Sequence, residues 1–114
     1  MISYFVRYES LTGNTEAFLT HYHDLHVPIL GRWPRVQAIY LHTPAAVQDS
    51  HETVPGASSL MAQMVFASEA DLAAALRSDE RAEARADFER FPAFKARVTH
   101  QAMHGEVMLG RTLG

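Results

Sequence analysis

Cysteine is missing from the chain. Its absence removes disulfides, thiolate nucleophiles and thiolate metal sites, and accords with a reducing compartment. Long apolar runs are missing too, since no stretch approaches the ~20 residues that a membrane span needs. Met1-Ile2-Ser3-Tyr4-Phe5-Val6-Arg7 reads as a strand without a basic leader or cleavage site, so the expected setting is the cytoplasm, with no membrane partner. Basic charge is not in excess. Lys and Arg number 10 against 13 Asp and Glu, a formal charge of −3. Clustered cations drive polyphosphate binding, so nucleic acid is not an expected partner. There is no Gly-x-Ser-x-Gly elbow, no Gly-rich dinucleotide fingerprint and no phosphate loop. Acyl-enzyme chemistry, nicotinamide binding and nucleotide hydrolysis therefore have no footing.

What is present suits one compact domain over residues 1–114, with 47% apolar and 20% charged residues. Ile2 to Tyr8 is β-rich, and Thr12-Gly13-Asn14-Thr15 supplies a turn and a side-chain cap for a helix over about residues 15–30. Val36 to His42 reads as a second strand, and residues 43–58, with Pro44, Pro55 and Gly56, as a long loop. Leu60 to Ala67 is an apolar run of strand length. Ser68, three residues before Asp71, opens a helical region near residue 69 that breaks near Ser78 and resumes through Phe88. Val98 to Leu109 offers the last strand. The order βαββαβ is an α+β, ferredoxin-like arrangement, an antiparallel sheet with its helices on one face. Residues 2–8 and 60–67 carry apolar groups on both sides. A second copy is expected to cover the free face, closing a dimeric barrel whose interior takes a small apolar or aromatic ligand.

One titratable ring interrupts the apolar helix. At about 100° per residue, Phe18, Tyr22, Leu25 and Ile29 share an arc, and His26 sits roughly 60° aside at the rim of that face. Pro28 cannot bond the carbonyl of Asp24 and pushes Val27 from helical geometry, which predicts a kink or stop there. A neutral histidine accepts a proton and its cation returns it near neutral pH, making His26 the leading acid-base candidate. The alternative is a core-edge histidine that ties down the freed carbonyl. Tyr22, one turn earlier, either orients a substrate or packs, and Tyr40 faces the same choice. Alternation groups Ala38, Tyr40 and His42, and likewise His104, Glu106 and Met108; these line the interior or, as burial statistics favour for His42 and Glu106, point to solvent. Trp33 walls a ligand site or plugs the barrel end, and Gly31 fits a left-handed helix stop. Of His21, His23 and His26, only the last two are close enough on a helix to share an ion, and His-Glu-x-x-His is missing, so no metal is expected. Arg77, Arg81 and Arg85 form a stripe, but the interleaved Asp79, Glu80, Glu83 and Glu89 mark an exposed charged face.

Phe18, Tyr22, His26-Val27-Pro28, the Tyr40 strand and the Val65-Phe66-Ala67-Ser68 junction, taken in order over nearly the whole chain, resemble the EthD family of dimeric α+β barrels. The resemblance implies a homodimer. Related barrels include methylmuconolactone isomerase, aromatic polyketide cyclases and cofactor-free oxygenases, in which a first-helix histidine moves a proton on a cyclic substrate. His26 matches that histidine. His51 is similar to a second, loop histidine of the methylisomerase, and Met64 stands where that enzyme has cysteine. The combined reading makes His26 and His51 catalytic and Phe18, Tyr22, Trp33, Tyr40, Met64 and His104 ligand contacts. Haem-binding relatives need only one axial histidine, which leaves haem open; the expectation is no cofactor. The expected function is a small catabolic protein performing histidine-mediated isomerisation or cyclisation on a cyclic or aromatic intermediate. The alternatives are a non-catalytic accessory to a monooxygenase-type degradation system and a cofactor-free oxygenase.

Overall fold

The computed structural model describes residues 1–54 and 59–111, so Pro55 and Gly56 of the expected loop lie outside the described residues. Strands β1 (Ile2–Gly13), β2 (Ala38–His42), β3 (Leu60–Phe66) and β4 (Phe94–His104) pair antiparallel in the order β2-β3-β1-β4. The βαββαβ order is as the sequence implies. Strand ends differ because pairing, not composition, sets them. Gly13 pairs with Phe94 and Ile2 with His104, so β4 begins four residues early and stops where β1 has no further residue to offer. Glu106 and Met108 consequently lie beyond the strand.

Alternation sorts the side chains of β1. Tyr8 is fully buried against Phe18 and Tyr22, at ring distances of 5.3 and 5.6 Å, so the even-numbered residues face the helices. The odd-numbered ones face away, where Gln63 Nε2 donates to Ser3 Oγ at 3.2 Å and His42 Nε2 lies 3.0 Å from Gln63 Oε1. This outer face is more polar than its sequence suggests. Between Glu9 and Thr12 the pairing slips through a bulge, and Gly13 follows at φ 99°. A Cβ at Gly13 would meet the Ala93 carbonyl at 2.9 Å, so only glycine turns the chain tightly here onto the helix layer.

The first helical region, residues 15–30, is three pieces: α1 (Thr15–His21), a π-helical turn (Tyr22–His26) and α2 (Val27–Leu30). Val27 N–H donates to the Tyr22 carbonyl, so one extra residue is held in the turn. This corrects three local expectations. Pro28 neither stops the helix nor displaces Val27, which stays at φ −57°, ψ −41°, because Pro falls in the first turn of α2, where a missing N–H is tolerated. Gly31 is right-handed, with φ −65°. Asn14 makes no side-chain cap and sends its amide to the Ala93 carbonyl at 3.4 Å.

The second helical region behaves as its serines dictate. Ser68 Oγ accepts from Asp71 N–H at 3.2 Å at the start of α3 (Glu69–Leu76), and Ser78 Oγ accepts from Arg81 N–H at 3.1 Å at the start of α4 (Asp79–Asp87). Ala84 and Asp87 of α4 are buried. Ala84, Asp87, Phe88 and Phe91 recur at the spacing of one helical face, which carries the carboxylate of Asp87 inward.

Candidate active site

The extra residue of the π-helical turn determines what His26 meets. On an unbroken α-helix, residues five apart diverge by roughly 140°; here His21 and His26 converge on one atom. Nδ1 of His26 lies 2.8 Å from Asp87 Oδ2, and Nε2 of His21 lies 3.0 Å from the same oxygen. His26 and Asp87 are each 3% exposed. Arg90 Nη1 stands 3.6 Å from the other carboxylate oxygen. An ionised carboxylate only accepts, so both rings donate to it, and the proton of neutral His26 sits on Nδ1. Nε2 of His26 keeps its lone pair; the side-chain hydrogen bond that His26 makes among the described residues is the one from Nδ1.

The ring forms part of the wall of a cavity of about 500 Å³ between the helices and the sheet. Tyr4, Val6, Tyr8, Met64 and His100 rise from the sheet. Tyr22, Leu30 and Trp33 close one side, and Arg81, Ala84, Arg85 and Phe88 the other. This cavity lies under the helices of a single chain, because the even-numbered residues of β1 face the helix layer. A wider furrow of about 950 Å³ runs along the outer side of α1, and of its lining residues only His21 belongs to the Asp87 cluster.

Burial lowers the proton affinity of His26 below the usual imidazole value, and the hydrogen bond and charge of Asp87 oppose that only in part. For Asp87, burial pushes the other way, but the hydrogen bonds from His26 and His21 outweigh it and hold the carboxyl below its ordinary range. Burial raises the phenols of Tyr8 and Tyr22 beyond any physiological pH. His26 therefore brings a free lone pair and a neutral state at pH 7 to this cavity, and a buried carboxylate holds its ring in place; His100, also driven toward neutrality, has no such partner. The Tyr8 hydroxyl and the Trp33 indole N–H are sealed from solvent with no partner of acceptable geometry.

These directions set the response to acid. A base whose folded affinity is lowered takes its proton first in the unfolded chain, so its stability contribution is full above about pH 6.5 and declines as the pH falls below that. Asp87 acts with the same sign lower down, its contribution present above about pH 3.8 and lost as the pH falls through its depressed value. The urea midpoint should thus hold steady above about pH 7 and fall progressively toward about pH 5. A midpoint unchanged over that interval would show that the ring is not held neutral.

Of the residues the sequence singled out, His26, Tyr22, Trp33 and Met64 meet at this cavity. Phe18 does not. It is fully buried behind the wall, packed on Phe94 and Phe91 at 4.5 and 5.2 Å. Tyr40 pairs with Gln63 on the outer face of the sheet, away from this cavity, and is 53% exposed. His104 is exposed at the end of β4, 3.7 Å from Glu69, while His100, four residues earlier on the same face, is the histidine that reaches the cavity. His51 is exposed in the loop after β2, outside the cavity wall. Trp33 is a wall, its side chain 5% exposed. Arg85 is exposed, as the charged stripe implied, and Arg81 half-buried, and both also contribute to the rim of the cavity. His26 bonds a carboxylate and not the carbonyl of Asp24. His23 pairs with neighbouring Asp24 at 2.7 Å and takes no part. Among the described residues, no group of three or more His, Asp or Glu could hold a metal ion, and no helix is long and apolar enough to cross a membrane.

A histidine oriented by a buried carboxylate thus faces a half-open cavity between the helices and a four-stranded antiparallel sheet. The EthD domain matches residues 13–95, and the chain belongs to that family. Similar solved structures include an EthD-family protein of Bacillus halodurans C-125, with TM-score 0.72 and 21% identity over 93% of this chain and 99% of that one. HapK of Hahella chejuensis follows with TM-score 0.66 and 16% identity, each chain covered in full at 100%. A variant of SnoaB, a cofactor-independent oxygenase of Streptomyces nogalater, gives 0.64 and 13% over 96% and 97%. Such identities establish a common fold. No curated protein sequence matches the chain significantly.

Proposed function

We propose that the protein is a cofactor-free enzyme in which Nε2 of His26 takes a proton from a small cyclic or aromatic substrate and returns it at another position, an isomerisation or ring closure. One observation carries this reading: a buried histidine whose Nδ1–H is engaged by Asp87 at 2.8 Å while Nε2 is unpartnered at a cavity of about 500 Å³. In the first step the substrate C–H bond breaks, its proton passes to Nε2, and the electron pair stays on the substrate as an enolate-type anion. The imidazolium that forms is stabilised by the Asp87 carboxylate. In the second step the N–H bond breaks and the proton is delivered to a different substrate atom, restoring neutral His26. The cofactor-independent chemistry of SnoaB supports a fold of this kind working without a prosthetic group. The same first step would also open a cofactor-free oxygenation.

The reading includes a homodimer. On the outer face of the sheet, opposite the cavity, Tyr40 and Met103 are 53% and 50% exposed, and Val107, Met108 and Leu109 stand exposed beyond β4. A second copy there would bury apolar surface without closing the cavity.

In D2O at neutral pH, the protein should exchange ring C–H for deuterium in at least one of a panel of unsaturated lactones and hydroxylated aromatics, read by NMR. His26→Gln should bind the same compounds and exchange none. Exchange undiminished in that variant would overturn the assignment, and binding without exchange in the native protein would favour a ligand carrier.

A further inference from the structure

The cavity has a second chemical feature that proton transfer does not use. Arg81 and Arg85 of α4 line it together with His100 of β4. No carboxylate lies within ion-pair distance of either arginine among the described residues; the arginine pairs there are Arg32 with Glu83, Arg35 with Asp71 and Arg90 with Asp87. Asp87, the buried acid of this helix, is already held by His26, His21 and Arg90. Arg81 and Arg85 are one turn apart, and like charges at that spacing disfavour the helix. Across from them, His100 is driven toward its neutral form, first by burial and then by these same two guanidinium groups. Three basic groups therefore share one end of a cavity, and no acid answers them.

The rest of the wall has a different character. Tyr4, Trp33, Met64 and Phe88 present rings and a thioether, which suit the faces of a planar hydrocarbon ring. Arg85 is exposed and Arg81 half-buried, so the charged end is the solvent-facing one. A guanidinium fork matches a carboxylate in two parallel hydrogen bonds, a match that a neutral carbonyl or hydroxyl cannot make with equal strength.

We propose that Arg81 and Arg85 form an anion subsite, and that the molecule this cavity accepts is a small ring compound bearing a carboxylate. The carboxylate lies against the two guanidinium groups and the ring lies between Tyr4, Trp33 and Phe88. This deepens the reading of His26 as the proton acceptor and rests on the same cavity, but it concerns recognition, which can be measured without turnover.

Trp33 is the sole tryptophan of the chain, so its indole N–H gives one NMR signal at the cavity wall. Benzoate and its neutral counterpart benzamide are the probes. Benzoate should shift that signal and bind roughly tenfold more tightly than benzamide, a preference that shrinks with added salt. The Arg81→Gln, Arg85→Gln double variant should lose the preference while binding benzamide as before. His26→Gln should keep it, so that failure of proton transfer and failure of anion recognition are read separately. Equal affinity for the two probes, a preference that survives in the double variant, or an indole signal that benzoate leaves unmoved would each overturn the subsite, whatever becomes of the exchange assay.

Discussion

Replacing Asp87 with asparagine should slow proton exchange by roughly 10²–10⁴-fold while the protein stays folded. Asparagine has nearly the shape of aspartate and can still present an oxygen to the two imidazole N–H groups. What it lacks is the negative charge that stabilises the imidazolium formed when Nε2 of His26 gains a proton. If the amide instead turns its NH2 toward His26, the ring must accept at Nδ1, which places the proton on Nε2 and removes the base altogether. The pH profile separates this from a purely structural role. The Asp87 hydrogen bond and charge raise the proton affinity of His26, so in Asp87→Asn the acid limb of the rate profile should move to lower pH. Asp87→Leu should behave differently, because it strands the buried Nδ1–H of His26 at about 1–3 kcal/mol, leaves the partly buried His21 without its acceptor, and lowers stability outright. Exchange rates within a few-fold of the native protein in Asp87→Asn would reduce the carboxylate to a packing element.

The second large effect concerns stability. Phe18→Ala should cost about 3–5 kcal/mol, since the ring is fully buried among Tyr8, Tyr22, Phe91 and Phe94 and its removal leaves a cavity the surrounding rings cannot fill. For a domain whose total stability is about 5–15 kcal/mol, that is a large fraction, and thermal unfolding should shift down by more than roughly 10 °C. Phe18→Leu, which retains most of the volume, should cost appreciably less. Because Phe18 does not reach the cavity, folded Phe18→Leu should bind benzoate like the native chain. Weakened binding with unchanged stability would return Phe18 to the ligand-contact role that its place in the sequence suggested.

The legible parts of this protein are those governed by local chemistry. Ser68 and Ser78 sit where a hydroxyl caps a helix, and both cap one. The apolar run at residues 60–67 is almost wholly strand. His26 was visible because an ionisable ring inside an apolar helix is conspicuous. Asp87 carried the same kind of signal, a carboxylate in register with Ala84, Phe88 and Phe91, but it was masked by the acids and arginines around it in α4. Its partnership with His26 spans 61 positions and is a property of packing. Tyr40 shows another limit. Alternation tells which residues share a face, yet only the pairing of β2 with β3 tells which face looks toward the helices. Arg81 and Arg85 were hidden likewise, since interleaved acids mark an exposed charged face and do not tell that part of it borders a cavity. The convergence of His21 and His26 could not be read from a pitch of 3.6 residues at all.

That convergence hangs on a surplus of one. Take away a single position between Tyr22 and Leu25 and the backbone can relax to ordinary pitch, swinging α1 by about a quarter-turn relative to α2. The two imidazoles would part company although neither had been altered. A one-codon deletion that removes neither ring is therefore enough to dismantle the cluster.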